Sequence, residues 1–470
     1  MDEQLALLVS ISCLDLETCR VALTRAGGDL NLAAQRLTSG DGTVTGTQGR
    51  CAECGAEGEG YHGEGSYSET FFCGSCWSHW GRNRLAVDGV DDMLVDSEQE
   101  NMLHRDLGLL KAETLEDLGA LLAQKLSQNW STSLHRTGEY FAWTAAGQSA
   151  WAKMATGAAA AMARAGAATA AAKFLAGAAR EVGSDQLWKL LTIYEIQVAS
   201  QLPRRQNRDA RAVGCTGVAC ASSCLLGQTE EVDVYIYDYG KLDVVVRLGF
   251  TSALPALLYD PGCTMCPIGI GASGLCVSRF TLYPSSGSEP SFNGLPLTVI
   301  LWELLLGPRN LSEAVEFLKG LYVESPPMAG AAMLLMQPGH GAAMVEWSPK
   351  QICVSPAAEG VLVHANHCIL DLRDAESSKI AKLLDESKRR QAAVESRYAE
   401  ELLAGKAPTL DLQQIQSFLS LSEVQNDDVL ATVISCPRER ALYVRFRLQI
   451  RGMERVEDTV ACDFWQCFEG

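Results

Sequence analysis

The chain has 470 residues, with 39 Lys plus Arg against 57 Asp plus Glu and a formal charge of −18. Hydrophobic residues are 47% and charged residues 20%, which supports about two to four domains and excludes wholesale disorder. The acidic balance argues against a general nucleic-acid binder, since phosphate contacts need clustered cations, and against docking on an anionic membrane. The most apolar long stretch, Tyr140 to Ala178, is interrupted by Lys153, Arg164 and Lys173, so no run reaches the ~18 apolar residues of a membrane span. The Met-Asp-Glu start lacks a basic-then-apolar leader pattern, and the expected compartment is cytosol or nucleus. In that setting the 17 cysteines are thiols, metal ligands or a nucleophile.

Residues 1–40 repeat apolar positions at Leu5, Leu8 and Ile11, then Val21 and Leu23, then Leu30, Ala33 and Leu37. Gly27-Gly28 breaks the pattern and Asp29 can cap the helix after it, so three short helices are expected. The segment Ala22 to Ala33 resembles the last two helices of a ubiquitin-associated (UBA) domain. That resemblance implies a UBA-like domain over 1–40 and ubiquitin or a ubiquitin-like protein as a partner. The family's Met-Gly-Phe loop falls near Ser12-Cys13-Leu14, and a helical interaction bundle without ubiquitin affinity is the alternative.

Residues 40–50 are rich in Gly and Thr and read as a linker. Cys51 and Cys54, then Cys73 and Cys76, form two CxxC pairs with 18 residues between them. Such pairs let four thiolates converge on one tetrahedral zinc, which supplies the folding energy that a Gly-rich module over 50–80 lacks. Four thiolates close the site, so the zinc is structural. Cys263 and Cys266 form a third CxxC without a matching pair and read as buried thiols. Residues 81–111 are acidic and turn-rich and read as a linker. Residues 112–214 are helical, with Ala dominant from 144 to 178. The stretch Arg204 to Arg211 is charged and reads as exposed.

At Val213-Gly214-Cys215-Thr216 the pattern changes to strands, with Val232 to Tyr237 and Val244 to Leu248 rich in β-branched and aromatic residues. A Cys after a Gly at such a junction suits self-cleavage. The thiol attacks the Gly214 carbonyl, water opens the thioester, and the freed α-amine of Cys215 becomes the base for its own thiol.

The blocks from this point resemble the acyl-coenzyme A:6-aminopenicillanic-acid acyltransferase (isopenicillin-N acyltransferase) family of cysteine N-terminal-nucleophile (Ntn) hydrolases. Gly214-Cys215-Thr216 resembles the processing site and Leu226-Gly227-Gln228 the following strand. Gly269 to Val277 resembles a glycine-containing strand pair, Pro327 to Ala332 and Val345 to Pro349 the next two strands, and Val363-His364-Ala365-Asn366-His367 a His-Thr-Asn-His block. The resemblance implies an α+β fold, a four-layer αββα sandwich over 215–470, acting on a small amide or an acyl-CoA thioester. It places the nucleophile on Cys215, the cleavage between Gly214 and Cys215, the oxyanion-holding Asn on Asn366 and the functional Asp on Glu231. The family's second Asn falls on Gly271, and its supporting Arg falls around Gln425 to Asp428, where no Arg stands.

His364 and His367 are three apart, which on a strand puts them on opposite faces and argues against a shared metal. Residues 371–405 form a charged helix on which Lys388-Arg389-Arg390 reads as a solvated face. A helix over Thr409 to Leu421, capped near Thr409 or Asp411, and strands at Val429 to Val433 and Ala441 to Ile450 complete the pattern. Two readings remain: a self-processing cysteine hydrolase or acyltransferase, or a non-catalytic adaptor working through the UBA-like and zinc modules. Intact Gly214, Cys215 and Asn366 favour the first; the changes at Glu231 and Gly271 and the missing Arg favour the second.

Overall fold

The computed structural model describes residues 47–50, 57–62, 71–73, 106–140, 142, 144–165, 169–204, 214–231, 244–250, 253–261, 264–283, 291–374, 378–405, 409–425, 429–448 and 456–463. It divides into two units, Met1–Leu103 and His104–Gly470.

In the first unit, β1 (Thr47–Arg50), β2 (Glu57–His62) and β3 (Phe71–Cys73) form an antiparallel sheet in that order. β1 occupies the end of the stretch read as a linker. Arg50 pairs with Glu57, and Cys73 pairs with Gly60. The UBA-like segment 1–40 and Cys51, Cys54 and Cys76 lie outside the described residues.

The second unit is a mixed α+β fold with two sheets. The eight-stranded sheet runs β13-β12-β11-β10-β9-β8-β7-β4. Its members are β4 (Asp106–Ala112), β7 (Val244–Phe250), β8 (Ala253–Asp260), β9 (Ile268–Ile270), β10 (Cys276–Thr281), β11 (Ala331–Gln337), β12 (Gly341–Ser348) and β13 (Gln351–Ala357). The six-stranded sheet runs β14-β5-β6-β15-β16-β17. Its members are β5 (Thr216–Cys220), β6 (Leu225–Glu231), β14 (Val361–His364), β15 (Val429–Cys436), β16 (Ala441–Leu448) and β17 (Val456–Asp463). Every neighbouring pair is antiparallel except β4 with β7, which is parallel. β4 falls at the end of the stretch read as a linker, and its edge position explains the misreading: one short strand beside polar sequence carries little pattern of its own. Val232 to Tyr237 lies outside the described residues.

Strand residues alternate between faces, and the alternation sorts them into three cores. Val244, Val246 and Leu248 of β7 and Met333 and Leu335 of β11 pack with helical Leu118, Leu122, Phe174 and Trp302. Val245, Leu257, Tyr259, Ala332 and Leu334 face the other way and meet Cys215, Ala219, Ala431 and Val433 between the sheets. Val218, Cys220 and Ile434, on the far face of the six-stranded sheet, pack with Val394, Ile415 and Phe418. The order is therefore helices, sheet, sheet, helices.

The first helical layer holds α1 (Leu115–Tyr140), α2 (Ala145–Ala165), α3 (Ala170–Val182), α4 (Ser184–Leu191), α5 (Ile193–Arg204), α6 (Leu297–Leu306) and α7 (Leu311–Glu324). All ten residues of α6 are buried, as expected of a helix apolar on every side. The second layer holds α8 (Ser378–Leu403) and α9 (Leu412–Leu419). Asp411 caps α9 in a reciprocal box with Gln414, which satisfies two amides otherwise left open. Among the described residues no helix is long and apolar enough to cross a membrane.

Candidate active site

Cys215 lies just before β5, whose neighbours are β14 and β6. It is buried between the two sheets. β5 pairs with β6 so that Thr216 faces Thr229, which carries the next two residues of β6, Glu230 and Glu231, past Cys215. The Cys215 thiol donates to Glu230 Oε2 at 3.6 Å. Glu231 Oε2 instead accepts the Gly214 N–H at 2.6 Å. The adjacent carboxylates thus divide the work: Glu230 meets the sulfur and Glu231 holds the backbone before it.

Glu230 is itself fixed. Arg279 Nη2, from β10 of the facing sheet, donates to its Oε1 at 2.9 Å. Gln228 Nε2 donates to its Oε2 at 3.0 Å. Gln228 also accepts from the Arg279 amide and donates to the Arg279 carbonyl, locking the two sheets together at this point. Arg279 Nε reaches the Cys266 carbonyl. Burial first, and then the Glu230 carboxylate, push the Cys215 thiol well above its ordinary range, with Arg279 opposing. Burial likewise pushes the Cys266 thiol up to about 12; it is a free, buried thiol.

Asn366 follows β14 and is buried. Arg390 Nη2 donates to its Oδ1 at 3.0 Å, and its Nδ2 donates to the Thr281 carbonyl at 3.1 Å. A guanidinium only donates, so this pair fixes which end of the amide is oxygen. Arg390 Nε also donates to Thr216 Oγ1. A β-carbon on Gly214 would collide with Asn366 Oδ1 and lie 2.5 Å from Arg390 Nη2. Gly214 is therefore glycine for want of space, and its α-carbon rests directly on the Asn366–Arg390 pair.

The loop that carries Asn366 is tied down on both sides. Ser387 Oγ, from α8, accepts the Asn366 N–H at 2.6 Å and lies 2.9 Å from His367 Nδ1. Glu346 of β12 accepts from His364 Nε2 at 2.8 Å and from the amides of Ile369 and Leu370. His364 and His367 are thus held by Glu346 and Ser387, and His367 lies beyond the strand. Among the described residues no group of His, Cys, Asp and Glu is arranged to hold a metal.

Cys215, Gly214, Glu231 and Asn366, all singled out from the sequence, come together. Three partners escaped that reading. Glu230 was overshadowed by its neighbour. Arg279 gave a signal, the one charged residue in the strand Cys276–Thr281. Arg390 was assigned to a solvated face, which the structure corrects: it is 3% exposed, because α8 turns it inward onto Thr216 and Asn366. Gly271, where the family's second Asn falls, has no room for a side chain, since a β-carbon would lie 2.6 Å from the Leu305 carbonyl oxygen. Gln425 donates to the Leu419 carbonyl and Thr432, and 426–428 lie outside the described residues.

None of the curated proteins compared matches the chain. Among solved structures, an N-acylethanolamine-hydrolyzing acid amidase ortholog from Caenorhabditis elegans aligns at 12% identity with a TM-score of 0.33. It covers 48% of this chain and 92% of its own. Penicillin V acylase from Agrobacterium tumefaciens aligns at 10% identity with a TM-score of 0.33, covering 53% of this chain and 86% of its own. Residues 246–426 match the family model of acyl-coenzyme A:6-aminopenicillanic acid acyl-transferase, a stretch that carries Arg279, Asn366 and Arg390 and begins beyond Cys215.

Proposed function

We propose that the protein is a cysteine Ntn hydrolase or acyltransferase that cuts its own chain between Gly214 and Cys215 and then turns over a small amide or acyl thioester through Cys215. The observation that carries this reading is the buried contact of the Cys215 thiol with Glu230, beside a Gly214 seated on Asn366 and Arg390. The family match over 246–426 supports the same chemistry.

In this reading burial keeps the Cys215 thiol protonated in the whole chain, so attack needs a proton acceptor, and Glu230 is in place to serve. Sulfur adds to the Gly214 carbonyl as the proton moves to Glu230. Glu231 holds the nitrogen side of Gly214 so that its carbonyl stays in range. Asn366 Nδ2 has a second hydrogen beyond the one given to Thr281, and it serves the developing oxyanion, a contribution of about 3 kcal/mol. Collapse expels the Cys215 nitrogen, which takes the proton from Glu230 and leaves as the free amine; water then adds its hydroxyl to the thioester carbonyl and returns a proton to sulfur, freeing the Gly214 carboxyl. The free α-amine of Cys215 then becomes the acceptor for its own thiol in turnover. Intact mass of wild type beside Cys215→Ala tests this. Wild type is expected to split into 1–214 and 215–470 while the variant stays whole; both remaining whole refutes it.

We also propose a structural zinc held by Cys51, Cys54, Cys73 and Cys76. In support, Arg50 and Glu57, which flank the first pair, face each other at one end of the small sheet. β3 runs toward that same end as it reaches Cys73. Metal analysis of the purified chain should find one zinc, lost in a Cys73→Ser, Cys76→Ser double variant.

A further inference from the structure

In the uncut chain the site already contains an acyl group, that of Gly214. The same sulfur attacks this resident carbonyl and, later, the carbonyl of a substrate. A substrate acyl group must therefore fit where Gly214 fits, and the surroundings of Gly214 describe it.

Two features define that position. First, there is no space at the α-carbon: a β-carbon meets Asn366 Oδ1 and Arg390 Nη2. The two atoms bond to each other, and each side chain is held by a further bond, Asn366 Nδ2 to Thr281 and Arg390 Nε to Thr216, so neither is the loose end of a flexible side chain. Second, the α-nitrogen is read: its N–H donates to Glu231 at 2.6 Å, and Glu231 is buried. A group that lacks this donor would leave a buried carboxylate oxygen without it, which disfavours binding more than the loss of a methylene does.

We infer that the preferred substrate is a glycyl amide, with an unbranched α-carbon and an N–H on the α-nitrogen. The inference rests on the Cys215 thioester reading and names its acyl side. In turnover a C–S bond forms between Cys215 and the glycyl carbonyl as the thiol proton passes to the α-amine of Cys215. The amide C–N bond then breaks, and that proton leaves with the amine product. Water adds its hydroxyl to the thioester carbonyl and returns a proton to sulfur, releasing the glycyl acid.

The test uses full-length protein whose cleavage has been confirmed by mass. Its kcat/KM is measured on aminocoumarin amides of glycine, N-acetylglycine, alanine, acetic acid and isobutyric acid. The better of the two glycyl amides is expected to exceed the alanyl, acetyl and isobutyryl amides by at least about tenfold. Cleaved protein that is inert to both glycyl amides, or that handles alanyl, acetyl or isobutyryl equally well, overturns the inference and leaves the self-cleavage reading standing. Protein that never cleaves defeats both. As a second measure, Gly214→Ala should slow self-cleavage at least about tenfold, with circular dichroism confirming its fold; cleavage at the wild-type rate also overturns the inference.

Discussion

Arg279 and Glu230 form an ion pair with almost no exposure on either side chain. Such a pair adds little net stability over apolar residues, but breaking it is costly, because one charge stays buried alone. Arg279→Met is therefore expected to lower unfolding free energy by about 3–5 kcal/mol, read by urea denaturation. His367 offers a pH test. Burial first, and then His364, lower its pKa from 6.5 to about 4, with Lys388 adding and Asp374 and Glu346 opposing. The folded protein thus binds fewer protons than the unfolded chain between these values. Stability is intact above pH 6.5 and declines as pH falls toward 4. Ser387 Oγ accepts from the Asn366 amide and lies 2.9 Å from His367 Nδ1; a protonated ring can only donate there, so protonation fixes the direction of this bond and places a charge beside the Asn366 loop. A melting series from pH 7 to 4 should show this decline, and His367→Gln should flatten it. Residues next to one another in the chain, Gly214 and Cys215, stood out because the proposed self-cleavage needs them adjacent. Arg279 and Arg390 were not, because strand pairing and helix packing bring them to Glu230 and Asn366 from distant segments, and a charged triplet in a helix reads as surface until its neighbours are known.

Helix contacts show the same division. The Ala-rich run was legible as helix from propensity alone. What it does not announce is that some of its glycines lie directly against neighbouring backbone. A β-carbon on Gly177 of α3 would overlap the Glu116 carbonyl of α1, and one on Gly157 of α2 would overlap the Phe292 carbonyl. Alanine is favoured over glycine in a helix by about 1 kcal/mol, yet Gly177→Ala is expected to destabilise, because the obstacle is backbone and cannot swing aside. Thermal denaturation should place the variant below wild type; a higher midpoint would show that the helices separate easily. The strands around the site were legible through the family resemblance, and β7 from its run of β-branched residues. β4 was not, since a parallel edge strand is specified by its partner β7 rather than by its own pattern.

For the molecule as a whole, the chain before Gly214 supplies β4 and α1 to α5, and the chain after it supplies the rest of both sheets. The first core mixes both parts: Leu118, Phe174 and Leu191 pack with Val246, Leu301 and Met333. Cutting one peptide bond removes none of this apolar burial. On the proposed cleavage, the two pieces are expected to elute together in gel filtration and to part only in denaturant. Separation in native buffer would show that the shared core is weaker than its extent implies. The layer order was legible through the family resemblance, whereas the interlocking of the two parts arises from packing alone.

β5 has a paired strand on each side, so Cys215 is held in the interior while Gly214 is pressed against α8. These contacts exist only once both sheets and α8 have closed around them. On the proposed reading, a nascent or misassembled chain has no means of cutting itself, and the cut is never repaired. Each molecule would then carry a permanent mark of having once reached its native form. The proportion of whole chain in a cell extract would count the molecules that had never folded.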